Sequence, residues 1–167
     1  MRRIAIVLSC AAASTVAGAQ QNVPVGATQA AAAYSRALVA ADCDALVPLM
    51  SSAVLARHPD AGSDLCDIVK RWRQAGLFER LRQPTANLAS GPHRMVVFPD
   101  SRIAVTGSGP TITNGIYVVY SNDGGRRWQV LDVACDYLPR WVKAVYPPYD
   151  GHPAFGPATL DRPTRGN

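Results

Sequence analysis

Charged residues, glutamate and long apolar segments are all scarce in this sequence of 167 residues. Charged residues make up 17% of the chain and hydrophobic ones 48%, a balance that excludes a disordered polyelectrolyte. Beyond the N-terminus, no apolar run reaches the roughly 18 residues that cross a bilayer. Fifteen of the 17 basic residues are arginine and Glu79 is the only glutamate, a skew more typical of GC-rich coding than of selection for an anionic partner. The length predicts a single domain.

Sequence motifs of the common catalytic and cofactor sites are also missing. The chain has no G-x-S-x-G nucleophile motif and no glycine-rich loop for phosphates or dinucleotides. Its cysteines and its three histidines show no spacing typical of metal ligands. We therefore predict no catalytic residue, no metal and no cofactor.

The N-terminus has the pattern of an export signal. Arg2 and Arg3 precede an apolar stretch of mostly small residues, and Ala17 and Ala19 fit the A-x-A site of a signal peptidase. This pattern predicts cleavage after Ala19 and a mature protein in the periplasm or outside the cell; lipoprotein processing at Cys10 is the alternative. Removal of the signal lowers the net charge from +5 to +3, which is no signature of nucleic-acid binding.

The first half of the mature chain has helical spacing. After a flexible leader at residues 20–26, apolar positions recur on one face over 27–41, and Asp42 is a natural cap for a second helix over 45–55. A third helix is predicted from residue 63 or 64 to residue 82, with a shift of register at Gly76.

The second half is rich in Val, Ile and Tyr and is punctuated by turn residues. This alternation of strands and turns predicts an antiparallel meander. A short closing helix from Pro139 to Tyr146 follows, and the Pro-rich tail over 147–167 is predicted to be disordered. The predicted strands are Arg94–Phe98, Arg102–Thr106, Thr111–Ser121 and Arg127–Ala134.

Three helices followed by an antiparallel sheet predict an α+β domain with the helices on one face of the sheet. This order, and the segment Ala31–Leu46 (AAAYSRALVAADCDAL), resemble the nuclear transport factor 2-like superfamily. The resemblance covers roughly residues 27–146 and implies a curved sheet and a cone-shaped fold, in a superfamily of enzymes, ligand carriers and interaction modules. Its enzymes use Asp and His facing into the cone, whereas His58 and His93 are predicted in loops.

Three cysteines remain after signal removal, and an oxidising compartment favours a disulfide between two of them. We predict the pair Cys43–Cys66, since the 22 residues between them hold a helix and a loop long enough to return across it; Cys66–Cys135 is the alternative. The resemblance points to the same pair, because some small exported relatives carry a disulfide at these positions. Cys135 is then a buried free thiol.

The segment Ser121–Trp128 (SNDGGRRW) resembles the Asp-box hairpin of sialidase-type propellers. In such a hairpin the aspartate accepts turn amides, a glycine supplies positive φ and the tryptophan covers the turn. Propellers repeat the motif many times, whereas this chain has one copy. We therefore interpret Ser121, Asp123, Gly125 and Trp128 as a structural turn.

Asp132 is the acidic residue that turn and cap positions explain least. We expect it on the outward face of its strand, opposite Arg102, with a position inside a cavity as the alternative. Together with Trp72 and Tyr117 it forms the candidate pocket, although the aromatic residues are also expected to build the core.

These features predict an exported, non-catalytic module that binds a small apolar molecule or another envelope protein; a homodimer is also compatible. No nucleic acid is expected as a partner, nor a transmembrane segment after processing. The alternative is a small cone-pocket enzyme of isomerase, cyclase or hydrolase type that uses buried acids. A cavity above about 300 Å³ that holds Asp132 and a second polar group would favour the enzyme.

Overall fold

The computed structural model is an α+β fold in which helices come first and an antiparallel sheet follows, as predicted. Within the described part of the chain, no helix is long and apolar enough to cross a membrane. The structure describes residues 22–74, 76–106, 109–133 and 145–148. The helices are Val25–Ala40 (α1), Cys43–Leu46 (α2), Ser52–Arg57 (α3) and Ala61–Gln74 (α4), with a 3-10 turn at Val47–Leu49. The strands are Leu77–Leu81 (β1), Ala86–Ser90 (β2), His93–Thr106 (β3), Gly109–Ser121 (β4) and Gln129–Val133 (β5).

Several predicted features lie outside the described residues. They are the signal peptide at 1–19, Cys135, the closing helix before Val145 and the tail beyond Pro148.

Helix α1 forms because its sequence is rich in alanine, the residue with the highest helix propensity. Its buried side carries alanines and two larger residues, Tyr34 and Leu38, so its backbone can approach the sheet closely. The helix ends at Ala41, whose left-handed backbone (φ 52°) brings its N–H to the carbonyls of the preceding turn. It begins at Val25, two residues before the predicted start.

Asp42 caps α2 as predicted, because its carboxylate accepts a hydrogen bond from a first-turn N–H at 3.1 Å. The single helix predicted over 45–55 is wrong, since the backbone of Met50 is extended (ψ 154°) and α3 starts afresh after it. The reason is contact with the sheet. Met50 forms a parallel bridge with Val130, and the N–H of Ser51 donates to the Val130 carbonyl at 2.8 Å.

The centre of the sheet is the antiparallel pair β3–β4, which is bonded along its whole length. Strand β5 pairs with the other edge of β4 and, among the described strands, lies at the border of the sheet. Strands β1 and β2 both pair with the remaining edge of β3, β2 opposite His93–Val97 and β1 opposite Asp100–Ala104. All five described strands are antiparallel to their neighbours, which confirms the predicted pairing mode.

Two further predictions of secondary structure are wrong. Leu77–Leu81 is strand β1 instead of the end of a helix, because Gly76 (φ 75°) leaves the helical region and β3 offers an edge for pairing. Strand β3 also runs straight through Pro99, where a turn is predicted. The Pro99 carbonyl accepts the N–H of Arg82 at 3.0 Å, so its nitrogen points to the same edge of β3, at the gap between β1 and β2. No amide hydrogen is needed there.

Both faces of the sheet are covered, because successive residues of each strand point to opposite sides. The inner face packs against α1 and comprises Val96, Phe98, Tyr117, Val119 and Val130. The outer face packs against Val145 and Tyr146 and comprises Met95, Val97, Val118, Tyr120 and Leu131.

Candidate functional site

Cys43 and Cys66 lie at disulfide-bonding distance, with their Cα atoms 5.7 Å apart. They are the predicted pair. Cys43 is the first residue of α2, and Cys66 lies in α4. The link therefore closes a loop over residues 44–65, which contains the 3-10 turn and α3 and touches the border strand β5.

A cavity of about 190 Å³ lies beside β5, between this strand, α1 and the disulfide-closed loop. Five of its nine wall residues belong to that loop. Its apolar wall residues are Met50, Val54, Ala61, Leu65, Val130 and Leu131. Its polar wall residues are Tyr34, Ser51 and Asp132.

At one end of this wall, the hydroxyl of Tyr34 donates to the Oδ2 atom of Asp132 at 3.2 Å. Tyr34 is almost fully buried and also makes an edge-to-face contact with Tyr117, at 5.1 Å between ring centroids. Tyr117 lies directly opposite Asp132 in the register of β4 and β5. The structure thus brings Tyr117 and Asp132, two of the three candidate pocket residues, beside the same helix.

The expectation that Asp132 faces outward is wrong. Its hydrogen bond to Tyr34 of α1 turns it toward the helices, because residue 132 shares the inner side of β5 with Val130. Trp72, the third candidate, lies half-buried on α4 and packs against the core cluster of the inner face. Neither Trp72 nor Tyr117 belongs to the cavity wall.

Hydrogen bonds connect the other side of the cavity wall, at Ser51, to the sheet. Its hydroxyl lies 2.8 Å from that of Tyr120, which donates to Oε1 of Gln129 at 2.8 Å. The Ser52 hydroxyl donates to the same amide oxygen at 2.9 Å. Burial raises the pKa of the Tyr120 hydroxyl above its ordinary 10.0, and the hydrogen bond with Ser51 acts in the opposite direction. These bonds hold the disulfide-closed loop against the border of the sheet.

A second acid–tyrosine pair lies on the inner face, and the sequence analysis missed it. Glu79 of β1 accepts hydrogen bonds from the hydroxyls of Tyr117 and of Ser35 in α1. The available signal was that the one glutamate of the chain stands among Leu and Phe residues. With the end of a helix predicted there, the position suggested nothing about its partners.

The turn that resembles an Asp-box joins β4 to β5 and is organised around one carboxylate. Oδ1 of Asp123 accepts the N–H groups of Arg126 and Arg127, both at 3.0 Å, and the Ser121 hydroxyl at 2.7 Å. The Arg127 N–H, and next the Ser121 hydroxyl, hold the pKa of the Asp123 carboxyl below its ordinary 3.8. Gly125 has a positive φ of 96°, a region that favours glycine.

Trp128 connects this turn to α1. Its half-buried indole lies against Gly26 in the first turn of the helix, where an added Cβ would be 2.5 Å from Nε1. On the turn side, a Cβ at Gly125 would be 3.5 Å from Cζ2. The ring therefore fills the space between two glycines, and the turn supports the N-terminal end of the helix that carries Tyr34.

The two described histidines lie apart from the cavity. His58 follows α3 in an exposed loop, as predicted, whereas His93 is the first residue of β3 and not a loop residue. The Nδ1 atom of His93 lies 2.8 Å from the side-chain oxygen of Asn122. Neither ring is part of the cavity wall.

Among the described residues, no group of three or more His, Cys, Asp or Glu side chains is arranged to hold a metal ion. No protein-family model matches the chain, and no curated protein matches it in sequence.

Proposed function

We propose that this protein is an exported binding module that holds a small apolar molecule in the cavity beside β5 and performs no catalysis. The observation that carries the proposal is the cavity itself, an apolar space of about 190 Å³ with polar groups at a few points of its wall. Ligand sites of proteins have this composition, in which apolar groups supply affinity and a few polar groups orient the ligand.

The volume sets the size of the ligand. An engineered apolar cavity of about 150 Å³ binds benzene. A space of about 190 Å³ therefore suits one six-membered ring with a single small substituent, or an aliphatic molecule of similar volume.

The alternative is an enzyme that uses the acids of the inner face. The pairing of Asp132 with Tyr34 inside the cavity favours it, since a carboxylate beside a phenol can exchange protons. The cavity is nevertheless below the roughly 300 Å³ at which drug-sized ligand pockets begin. A catalytic site must hold a substrate together with its catalytic groups, so the small volume favours binding.

The fold we infer is the cone of the nuclear transport factor 2-like superfamily. Its support is the order of elements, with helices first and an antiparallel sheet whose inner face packs against α1. Export is part of the proposal as well. The Cys43–Cys66 pair is compatible with an oxidising compartment.

The experiment is native mass spectrometry of the protein purified from its own host. We expect a retained molecule of low mass in the wild type and its loss in Ala61→Leu, which extends a side chain from the cavity wall. Ala56→Leu is the matched control, because Ala56 is exposed on the neighbouring helix α3 and is not part of the wall. A bound molecule that persists in Ala61→Leu would place the ligand elsewhere, and a bound protein in place of a small molecule would contradict the proposal.

A further inference from the structure

The wall of the cavity beside β5 has two parts of different origin. One part consists of Tyr34 in α1 and residues 130–132 in β5, so it is built from the first helix and a strand of the sheet. The other part lies on the loop that Cys43 and Cys66 close, and it comprises Met50, Ser51, Val54, Ala61 and Leu65. The shape of the cavity therefore depends on how firmly this loop is held.

Hydrogen bonds to the sheet hold the first half of the loop. The N–H of Ser51 donates to the Val130 carbonyl at 2.8 Å, and the Ser52 hydroxyl donates to Oε1 of Gln129 at 2.9 Å. The second half carries three of the wall residues and includes most of α3, whose six residues are all half-buried or exposed apart from its cap. A helix this short gains little stability from its own hydrogen bonds, so this half needs support from outside.

The Cys43–Cys66 link provides such support at the end of the second half, because Leu65 of the wall directly precedes Cys66. A cross-link restricts the conformations of the chain that it encloses. Segments with few buried apolar contacts are those that open locally at low cost in free energy. Without the link, we therefore expect the second half of the loop to leave the cavity wall while the sheet stays folded.

We propose, on the basis of the binding function above, that the Cys43–Cys66 pair controls this function by its redox state: the disulfide form holds the apolar molecule and the dithiol form releases it. The reductant is a thiol. Its thiolate attacks Sγ of Cys43, which is half-buried, whereas Cys66 is only 7% exposed.

The exchange consumes two molecules of thiol. The first forms a mixed disulfide with Cys43 and displaces Cys66 as a thiolate, which takes up a proton. The second attacks the sulfur of the first, so that the two leave together as their own disulfide and the Cys43 thiolate is protonated. Two electrons thus pass from two thiols to the protein.

Binding and redox state are then linked in both directions. The factor by which reduction weakens binding must equal the factor by which a bound molecule shifts the thiol–disulfide equilibrium toward the disulfide. Hydrogen bonds of Ser51 and Ser52 still hold part of the reduced loop, so we expect a factor of about ten, within the usual range of such couplings.

The test uses phenol as the probe, since one ring with a small substituent suits the cavity volume. Dissociation constants are measured by NMR titration of methyl groups in the disulfide form, in the dithiol form and in Cys43→Ser/Cys66→Ser. The equilibrium of the Cys43–Cys66 pair with glutathione is measured by mass spectrometry of alkylated peptides, with and without saturating phenol. Gly26→Ala is the control for general destabilisation, because Gly26 packs against Trp128 and lies outside both the cavity wall and the loop.

We expect phenol to bind about tenfold more weakly to the dithiol form and to the double-serine variant than to the disulfide form, and equally well to disulfide-bonded Gly26→Ala. Saturating phenol should shift the glutathione equilibrium by the same factor. Hydrogen exchange should also become faster at the Ser51 and Val54 amides on reduction, and stay unchanged at Val119 in the centre of the sheet.

Circular dichroism checks that the reduced chain is folded, and sucrose is added to favour the folded state where it is not. A reduced chain that stays unfolded in sucrose would overturn the proposal, because the link would then control folding as a whole. Equal dissociation constants in the disulfide and dithiol forms, or an equal loss in Gly26→Ala, would overturn the redox control and leave the binding function standing. The absence of phenol binding to the disulfide form would overturn the binding function itself, and the redox control with it.

Discussion

A single added methyl group at Gly26 tests how the Asp-box-like turn supports α1. In an isolated helix, Gly→Ala is stabilising by up to about 1 kcal/mol, because alanine has the higher helix propensity. At Gly26 the new Cβ would be 2.5 Å from Nε1 and 2.9 Å from Cδ1 of Trp128, distances at which atoms overlap. The other end of the indole lies near Gly125, where an added Cβ would be 3.5 Å from Cζ2.

We therefore expect Gly26→Ala to destabilise the protein, the opposite of the effect of Gly→Ala in an isolated helix. Insertion of a methyl group into a filled site costs about 1–3 kcal/mol, so Gly26→Ala lowers the free energy of unfolding by about 1–2 kcal/mol in spite of the gain in propensity. In a Trp128→Leu background the clash is gone, and the same substitution should become stabilising. The difference between the two backgrounds is the coupling energy of a double-mutant cycle.

The assay is urea denaturation followed by circular dichroism, which does not depend on the fluorescence of the tryptophan that is replaced. Thr28→Ala, at an exposed position in the same helical turn, measures the gain in propensity without the clash. The reasoning is refuted if Gly26→Ala stabilises the wild type as much as it stabilises Trp128→Leu, because the indole would then not press on α1.

Three further predictions concern the cavity wall and its supports. Reduction of the Cys43–Cys66 link should lower the free energy of unfolding by about 3 kcal/mol, as expected for the entropy of a closed loop with a sequence separation of 23, and should have no effect on a Cys43→Ser/Cys66→Ser variant. Tyr34→Phe removes a buried hydrogen-bond donor to Asp132. This substitution should lower the free energy of unfolding by about 1–2 kcal/mol in urea denaturation. Burial raises the pKa of Tyr120, so the unfolded chain ionises first as the pH rises through 10.0 and the folded state loses stability. Tyr120→Phe should reduce this alkaline decline and leave the part that comes from Tyr146, whose pKa is also raised by burial.

Each of these three predictions would be contradicted by a specific result. An effect of reductant that persists without Cys43 and Cys66 would point to a bond that involves Cys135. Unchanged stability in Tyr34→Phe would mean that water replaces the phenol at Asp132. An alkaline decline that is equal in wild type and Tyr120→Phe would assign the titration to another group.

The local part of the fold could be predicted from the sequence. Alanines and apolar residues at helical spacing indicate α1, Asp42 is a cap that needs no distant partner, and the Val-, Ile- and Tyr-rich segments indicate antiparallel strands. Cys43 and Cys66 could be paired because a short loop connects them.

What the sequence did not reveal depends on distant partners. Leu77–Leu81 has apolar residues that fit a helix as well as a strand, and the edge of β3, which comes later in the chain, decides between them. The break of helical structure at Met50 depends in the same way on Val130. The inward position of Asp132 likewise depends on a residue distant in sequence, since Tyr34 lies 98 residues away.

The most direct test of the proposed binding function is a crystal structure of the mature chain soaked with phenol. We expect the ring of phenol in the cavity beside β5, between Met50, Leu65 and Val130. A cavity that holds only water, or a ring bound on the outer face beside Tyr146, would contradict it.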